Sequence, residues 1–173
     1  MIVIGIDPGC LESAVVIYDS ERKRIDVHFK KPNTELLNWF QQFEEDEEVD
    51  GICIEMIASY GMAVGIEVFE TCVWIGRFME ALKNCKVRRV YRKTIAGYIC
   101  NDARAKDANI RQSLLDLVGP QKIARTELVD TKKGQVSKTV MVPGPTFGLK
   151  GDTWSALSIA IWASDNPDAV GVI

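Results

Sequence analysis

Three carboxylates in this chain stand where carboxylates are costly. Asp7 closes the apolar run 2–6, Glu55 closes the run 51–54, and Asp152 opens an apolar stretch that reaches past Ile161. A β-branched run ended by Pro8 and Gly9 reads as a buried strand followed by a turn, and 51–54 reads as a second, shorter one. If the two strand ends are neighbours and the last helix packs across them, the three acids converge. Clustered carboxylates repel one another and are costly to desolvate, so something positive must sit among them. Each acid also has a plainer reading. Asp7 before Pro-Gly can form a turn, and Asp152 can be an N-cap. A Glu closing a buried strand has no such duty. Together, in this order, the three acids point to a site for a cation. Hard oxygen ligands suit Mg²⁺ or Mn²⁺, and two such ions about 3.5–4 Å apart can clamp the attacking and leaving oxygens of a phosphodiester.

The rest of the chain reads as a mixed α/β sheet in one domain spanning 1–173. Strands are expected over 14–18 and 24–29, the latter alternating through Ile25, Val27 and Phe29, with hairpins joining the first three strands. Asn33 and Thr34 cap a helix through Phe43. A long helix is expected over 60–82, with Val68, Cys72, Ile75 and Met79 along one side and Met62, Ile66, Phe69 and Val73 along another. A helix apolar on two sides must be covered on two sides, by the core and by a partner subunit. A fifth strand follows over 87–91 and a helix over 106–118. Residues 120–150, rich in Lys, Thr, Gly and Pro, read as a long irregular segment of the kind that is functional or mobile.

With 47% apolar and 26% charged residues, the composition excludes a disordered chain and a strongly basic tail. No apolar run approaches the ~20 residues of a membrane helix, and Met1 to Ile6 lacks the basic flank of a signal peptide. The five cysteines are scattered without a CxxC pair, so neither a disulfide framework nor a zinc site is expected. Cys53 and Cys72 read as buried thiols and the compartment as reducing and cytoplasmic. The net charge of −3 hides an asymmetry: residues 1–70 carry 15 acids and 5 bases, residues 71–173 carry 9 acids and 16 bases. Six bases fall within 83–93, and a one-sided basic surface fits a polyanion. The acidic run 44–50 reads as a solvated loop, and His28 as structural.

Ile4-Gly5-Ile6-Asp7-Pro8-Gly9 resembles the first motif of the RuvC-type Holliday-junction resolvases of the RNase H-like superfamily. Ile54-Glu55 resembles their second motif, and the segment from Asp152 through Ser155 to Ile161 resembles their last helix. The likeness covers almost the whole chain in order. It implies an RNase H-like fold, a five-stranded mixed sheet with three antiparallel strands and then two parallel ones, flanked by helices. It also implies a homodimer through the helix 60–82 that nicks four-way DNA junctions with Mg²⁺, Mn²⁺ substituting, in DNA recombination and repair. Asp7 would bridge two metals, Glu55 hold one and Asp152 the other. Lys106 would stabilise charge on the scissile phosphate. Arg88, Arg89, Arg92 and Lys93 would bind backbone phosphates, as would Lys132, Lys133 and Lys138. Phage-type members share the longer segment 121–150.

Two positions depart from the family pattern. Ser155 stands where a second acid of the last helix is usual, leaving Asp107 or a water as the source of a fourth ligand. Ala58 stands where an aromatic often inserts at the junction, and the nearest aromatic is Tyr60. Three other readings follow. Gly-Ile-Asp-Pro-Gly also resembles the start of actin-like kinases and ATPases, which need two such domains. A nuclease of the same fold could take an RNA–DNA hybrid or a flap. A degenerate member could hold branched DNA without cutting.

Overall fold

The computed structural model describes residues 1–43, 49–59, 61, 63–131 and 134–169. Strands β1 (Ile2–Asp7), β2 (Glu12–Asp19) and β3 (Arg24–Pro32) form an antiparallel meander, followed by helix α1 (Asn33–Gln41). Strand β4 (Gly51–Met56) then pairs parallel with β1, and β5 (Val87–Tyr91) parallel with β4. The sheet order is β3-β2-β1-β4-β5, the mixed five-stranded arrangement expected from sequence. Helix α2 (Ile66–Ala81) links β4 to β5; helices α3 (Arg92–Cys100), α4 (Asp107–Val118) and α5 (Thr153–Asp165) follow. Among the described residues, no helix is long and apolar enough to cross a membrane.

Strand alternation divides the core. Ile4, Ile6, Val15, Ile52 and Ile54 face α1 and α2, packing on Leu36, Phe40, Ile75 and Phe78. Val3, Cys53, Ala14 and Val16 face α5, packing on Leu157, Ile159, Ala160 and Trp162. Eleven of the thirteen residues of α5 are buried, which explains its continuous apolar sequence: it is covered on all sides. Gly5 permits this approach. A Cβ at that position would lie 2.2 Å from the carbonyl oxygen of Ala156, so α5 rests directly on the backbone of β1.

Four sequence expectations are corrected. Helix α2 begins at Ile66, not at residue 60, and Cys72, on its outer side, is exposed. Residues 92–100, to which no element is assigned from sequence, are helical, although Gly97 and the β-branched Thr94, Ile95 and Ile99 weaken the local preference; burial of Ile95 and Ala96 against the core holds them. The segment 120–150 is not irregular. It contains β6 (Lys122–Thr131) and β7 (Gly134–Pro143), an antiparallel pair of its own. Finally, Arg88 is only 6% exposed. It donates to the carbonyl oxygens of Asn166 and Ala163, the latter at 2.8 Å, and so holds the C-terminal end of α5 instead of reaching a phosphate. Met62 and residues 44–48 of the acidic run lie outside the described residues.

Candidate active site

Asp7 and Glu55 share a face of the sheet because of strand parity. Asp7 alternates in step with Val3 and Gly5, and Glu55 with Gly51 and Cys53, so both point toward α5. In the parallel register Ile6 is opposite Ile54, which leaves Asp7 and Glu55 side by side at the ends of neighbouring strands, whose spacing is about 4.8 Å. The turn after Asp7 is fixed by a buried network with no signature in the sequence. The amide of Gly9 donates to Ser13 Oγ at 3.1 Å, Ser13 Oγ donates to Asn33 Oδ1 at 2.7 Å, and Asn33 Nδ2 donates back to the Gly9 carbonyl at 2.8 Å. A Ser on β2 and an Asn opening α1 thus clamp the loop that presents the acid.

The electrostatics of the pair are unfavourable for two anions. Burial, with Glu55 and Asp152 nearby, pushes Asp7 up to about 8, against a hydrogen bond donated by Ser155 and the charge of Arg92. Burial also pushes Glu55 up to about 7; Arg92 opposes this and Asp107 adds to it. Arg92, on the first turn of α3, is therefore the cation that acts on both acids. One of its amino groups, Nη2, pairs with Asp107 at the start of α4. The other, Nη1, is buried and has no hydrogen-bond partner among the described residues.

Asp152 lies at the N-cap of α5 and is half exposed. Its carboxylate bonds Lys30 Nζ at 2.9 Å, and that lysine also meets Glu12 at 3.4 Å. Asp7 therefore senses both other acids, but Asp152 is drawn toward β3. Among the described residues no three His, Cys, Asp or Glu side chains close into a ready metal cage. A cleft of about 600 Å³ opens beside the acids, bounded by Arg92, Asp107, Arg111, Asp152, Trp154 and Ser155. The Arg111 guanidinium lies 5.0 Å above the Trp154 ring.

The sequence-predicted residues thus separate. Asp7 and Glu55 are brought together with Arg92, with Ser155 and Asp107 beside them, while Asp152 acts on Asp7 from the rim, where Lys30 holds it. Lys106, exposed, is the N-cap of α4 beside Asp107. Lys93 is exposed on the first turn of α3 and Arg89 half-buried on β5, while Arg88 is elsewhere. Tyr60, Lys132 and Lys133 lie outside the described residues.

No family model and no curated protein sequence matches this chain. Solved structures do. The RuvC structure of Thermus thermophilus is 13% identical, with a TM-score of 0.65 over 96% of this chain and 95% of that one. T. thermophilus RuvC in complex with a Holliday junction substrate is 13% identical, with a TM-score of 0.61 over 95% of this chain and 93% of that one. The chain has the RuvC-type, RNase H-like fold. The likeness concerns the fold; at this identity the chemistry rests on the chain's own residues.

Proposed function

We propose that this protein is a divalent-metal-dependent endonuclease that nicks branched DNA such as a four-way junction. The observation that carries the reading is the Asp7–Glu55 pair, two desolvated carboxylates held side by side behind Arg92 and Ser155, which line a cleft, with ordinary values of 3.8 and 4.5 raised to about 8 and about 7. A structure gains nothing from such a pair unless a cation joins it. The donor set fits Mg²⁺ or Mn²⁺, which keep several waters and need only one or two carboxylates besides the substrate phosphate. Asp7 and Glu55 would hold the ion from the strand ends, with Asp152 at the rim. When bound, it supplies Lewis-acid activation of the phosphodiester and of water.

The protein's own groups do the rest. Ser155 donates to Asp7 and orients its carboxylate. Arg92 balances the two acids and keeps Nη1 free of any hydrogen-bond partner among the described residues. Lys30 holds Asp152 at the rim until a stronger cation competes. Lys106 and Lys93 supply positive charge along the approach of a phosphate backbone, positioning DNA without reading sequence; Arg89, in register with Ile54, lies on the α2 face of the sheet, away from the acids. Two active sites for opposed strands require two copies. The outer side of α2 offers an apolar strip for this, with Ile66 75%, Phe69 59% and Val73 55% exposed.

A second reading is favoured by Ser155. With a hydroxyl in place of an acid, the site has no closed set of three ligands among the described residues, as a module that grips junctions without cutting would. One assay separates the readings: an end-labelled four-way junction, the matching linear duplex and an RNA–DNA hybrid, with and without Mg²⁺ or Mn²⁺, with Asp7→Asn as control. Paired, metal-dependent nicks on the junction, absent in the variant, support the resolvase. Cutting of the hybrid or duplex instead keeps the metal site and replaces the substrate. Junction binding with no cutting supports the non-cleaving module.

A further inference from the structure

Among the described residues, the β6–β7 hairpin packs on no other element to more than a marginal extent. Its ladder is unbroken from Lys122 opposite Pro143 to Thr131 opposite Gly134. Residues 122–130 are all exposed, and so is most of β7. A two-stranded ribbon alone is marginal in water, so an arm of this length gains its stability from a partner. Its base is fixed. The amide of Gly144 donates to the Gln121 carbonyl at 2.8 Å, Gln121 Nε2 to the Leu149 carbonyl at 2.7 Å and Thr146 Oγ1 to the Gly119 carbonyl at 2.9 Å. The arm therefore rises between α4 and α5, the two helices that line the carboxylate cleft.

We propose that this hairpin is a DNA arm, a β ribbon that lies in the major groove of a duplex segment of the nucleic acid held at the carboxylate site. The inference rests on the nuclease reading and names how the substrate is gripped beyond the cleft. Charge is the first argument. Residues 122–143 hold five of the 21 bases and two of the 24 acids, so the arm carries +3 and the remainder of the chain −6. A basic arm on an acidic body fits a polyanion, and duplex DNA presents about one charge per 1.7 Å. Dimensions are the second. Ten residues per strand span about 33 Å, and a major groove about 12 Å wide admits a two-stranded ribbon. The faces are the third. By register Thr126, Thr139, Ser137 and Gln135 share one face with Lys122, Leu128, Met141 and a single acid, Asp130, giving hydroxyl and amide groups for base edges and phosphates and aliphatic groups for thymine methyls. The other face holds Ile123, Val140 and Val142 toward the base and Val129 and Val136 toward the tip; the charged Glu127–Lys138 rung divides these into two small aliphatic patches, not one continuous surface of the kind a protein partner covers. Lys122 lies on the first face and Arg125 and Lys138 on the second, so the ribbon carries cations on both sides for the phosphates that flank it.

The closed base allows a clean excision, with residues 122–143 replaced by two glycines between Gln121 and Gly144. A second variant, K122Q/R125Q/K138Q, keeps the hairpin. Binding of both to a four-way junction and a long duplex is measured in EDTA at several salt concentrations, with sedimentation to record oligomeric state. The expected result is at least tenfold weaker binding on excision and, in the triple variant, a salt slope shallower by about 3, one counterion per lost contact. Unchanged affinity and slope in both variants, with the intact chain binding DNA, overturns the arm and leaves the nuclease reading standing. Altered oligomeric state with unchanged DNA affinity overturns it in favour of a contact between copies. No DNA binding by the intact chain overturns both.

Discussion

Ser155, one turn into α5, donates a hydrogen bond to Asp7 at the end of β1. That contact joins the two elements on which the site depends. It exists because Gly5 lets α5 lie on the strand, with Ala156 against its backbone. The hydroxyl stabilises the charged form of Asp7, the form that binds a cation. Ser155→Ala is therefore expected to lower Mn²⁺ affinity about tenfold, the usual scale for a group that orients a ligand, with little change in fold. Ser155→Asp is expected to raise affinity by adding an oxygen ligand. Isothermal titration with Mn²⁺ measures both; equal affinities for wild type and Ser155→Ala would remove Ser155 from the site.

The raised carboxylates make a pH prediction whose sign is fixed. Unfolded, Asp7 and Glu55 lose their protons near 3.8 and 4.5; folded, they hold them to about 8 and about 7. Between these values the native state binds more protons, so stability of the metal-free protein falls as pH rises from about 4 and levels off above about 8. A tenfold difference in proton affinity between the folded and unfolded states is worth about 1.4 kcal/mol, so the loss is on the order of several kcal/mol. The melting temperature in EDTA should drop between pH 5 and 8, and Asp7→Asn should flatten that drop. Adding Mg²⁺ at pH 8 should recover most of it in the wild type and little in the variant.

Arg92 has an exposed partner and two buried ones. Asp107 is 90% exposed on its side chain, and an ion pair of that kind contributes less than about 1 kcal/mol. The main work of Arg92 is against Asp7 and Glu55. Asp107→Asn should thus change stability at pH 8 by less than about 0.5 kcal/mol. Arg92→Met should cost clearly more, and its cost should shrink at pH 5, where the carboxylates are neutral. Urea denaturation at the two pH values decides this; equal costs for the two variants would make the surface pair the dominant partner.

Arg88 supplies the complementary test of the basic stretch. Its guanidinium serves the carbonyls of Ala163 and Asn166 from a buried position. Arg88→Met is expected to destabilise the fold by about 2–3 kcal/mol, the cost of stranding buried acceptors of a charged donor, while leaving the salt dependence of DNA binding unchanged. Lys106→Gln, at the exposed N-cap of α4, should do the reverse. A shallower salt slope in folded Arg88→Met would return Arg88 to the interface.

The candidate site is legible in the sequence because its acids break local rules: Asp7 and Glu55 end apolar strands, and the residue order shows that without coordinates. Parity and register then follow from the same runs. Ser13 and Asn33 are not legible, since a Ser in a strand and an Asn at a helix start are ordinary until the fold joins them over 20 residues of chain. Arg88 misleads because charge in a basic run looks solvent-facing, and only α5 overhead reveals the carbonyls it serves. The β6–β7 hairpin escapes sequence reading because both its faces are exposed, so the period-two pattern carries no apolar–polar contrast.

The outer side of α2 makes the last prediction. Ile66, Phe69 and Val73 follow helical spacing and are 75%, 59% and 55% exposed, whereas Thr71, Ile75 and Phe78 on the opposite side are buried. Leu11, 76% exposed, lies in the loop after β1, and the groove containing Leu11 and Ile66 runs along the N-terminal half of the helix. Apolar groups so exposed on one helix side are placed for burial against a second copy. Phe69→Glu should shift a dimer to monomer in analytical ultracentrifugation, raise the dissociation constant at least about a hundredfold, and leave the melting temperature of the monomer within about 2 °C, as befits a surface change away from the core. Loss of paired nicking on a junction with single nicks retained would show that the two active sites work through this face. A monomeric wild type at micromolar concentration would remove α2 as the interface.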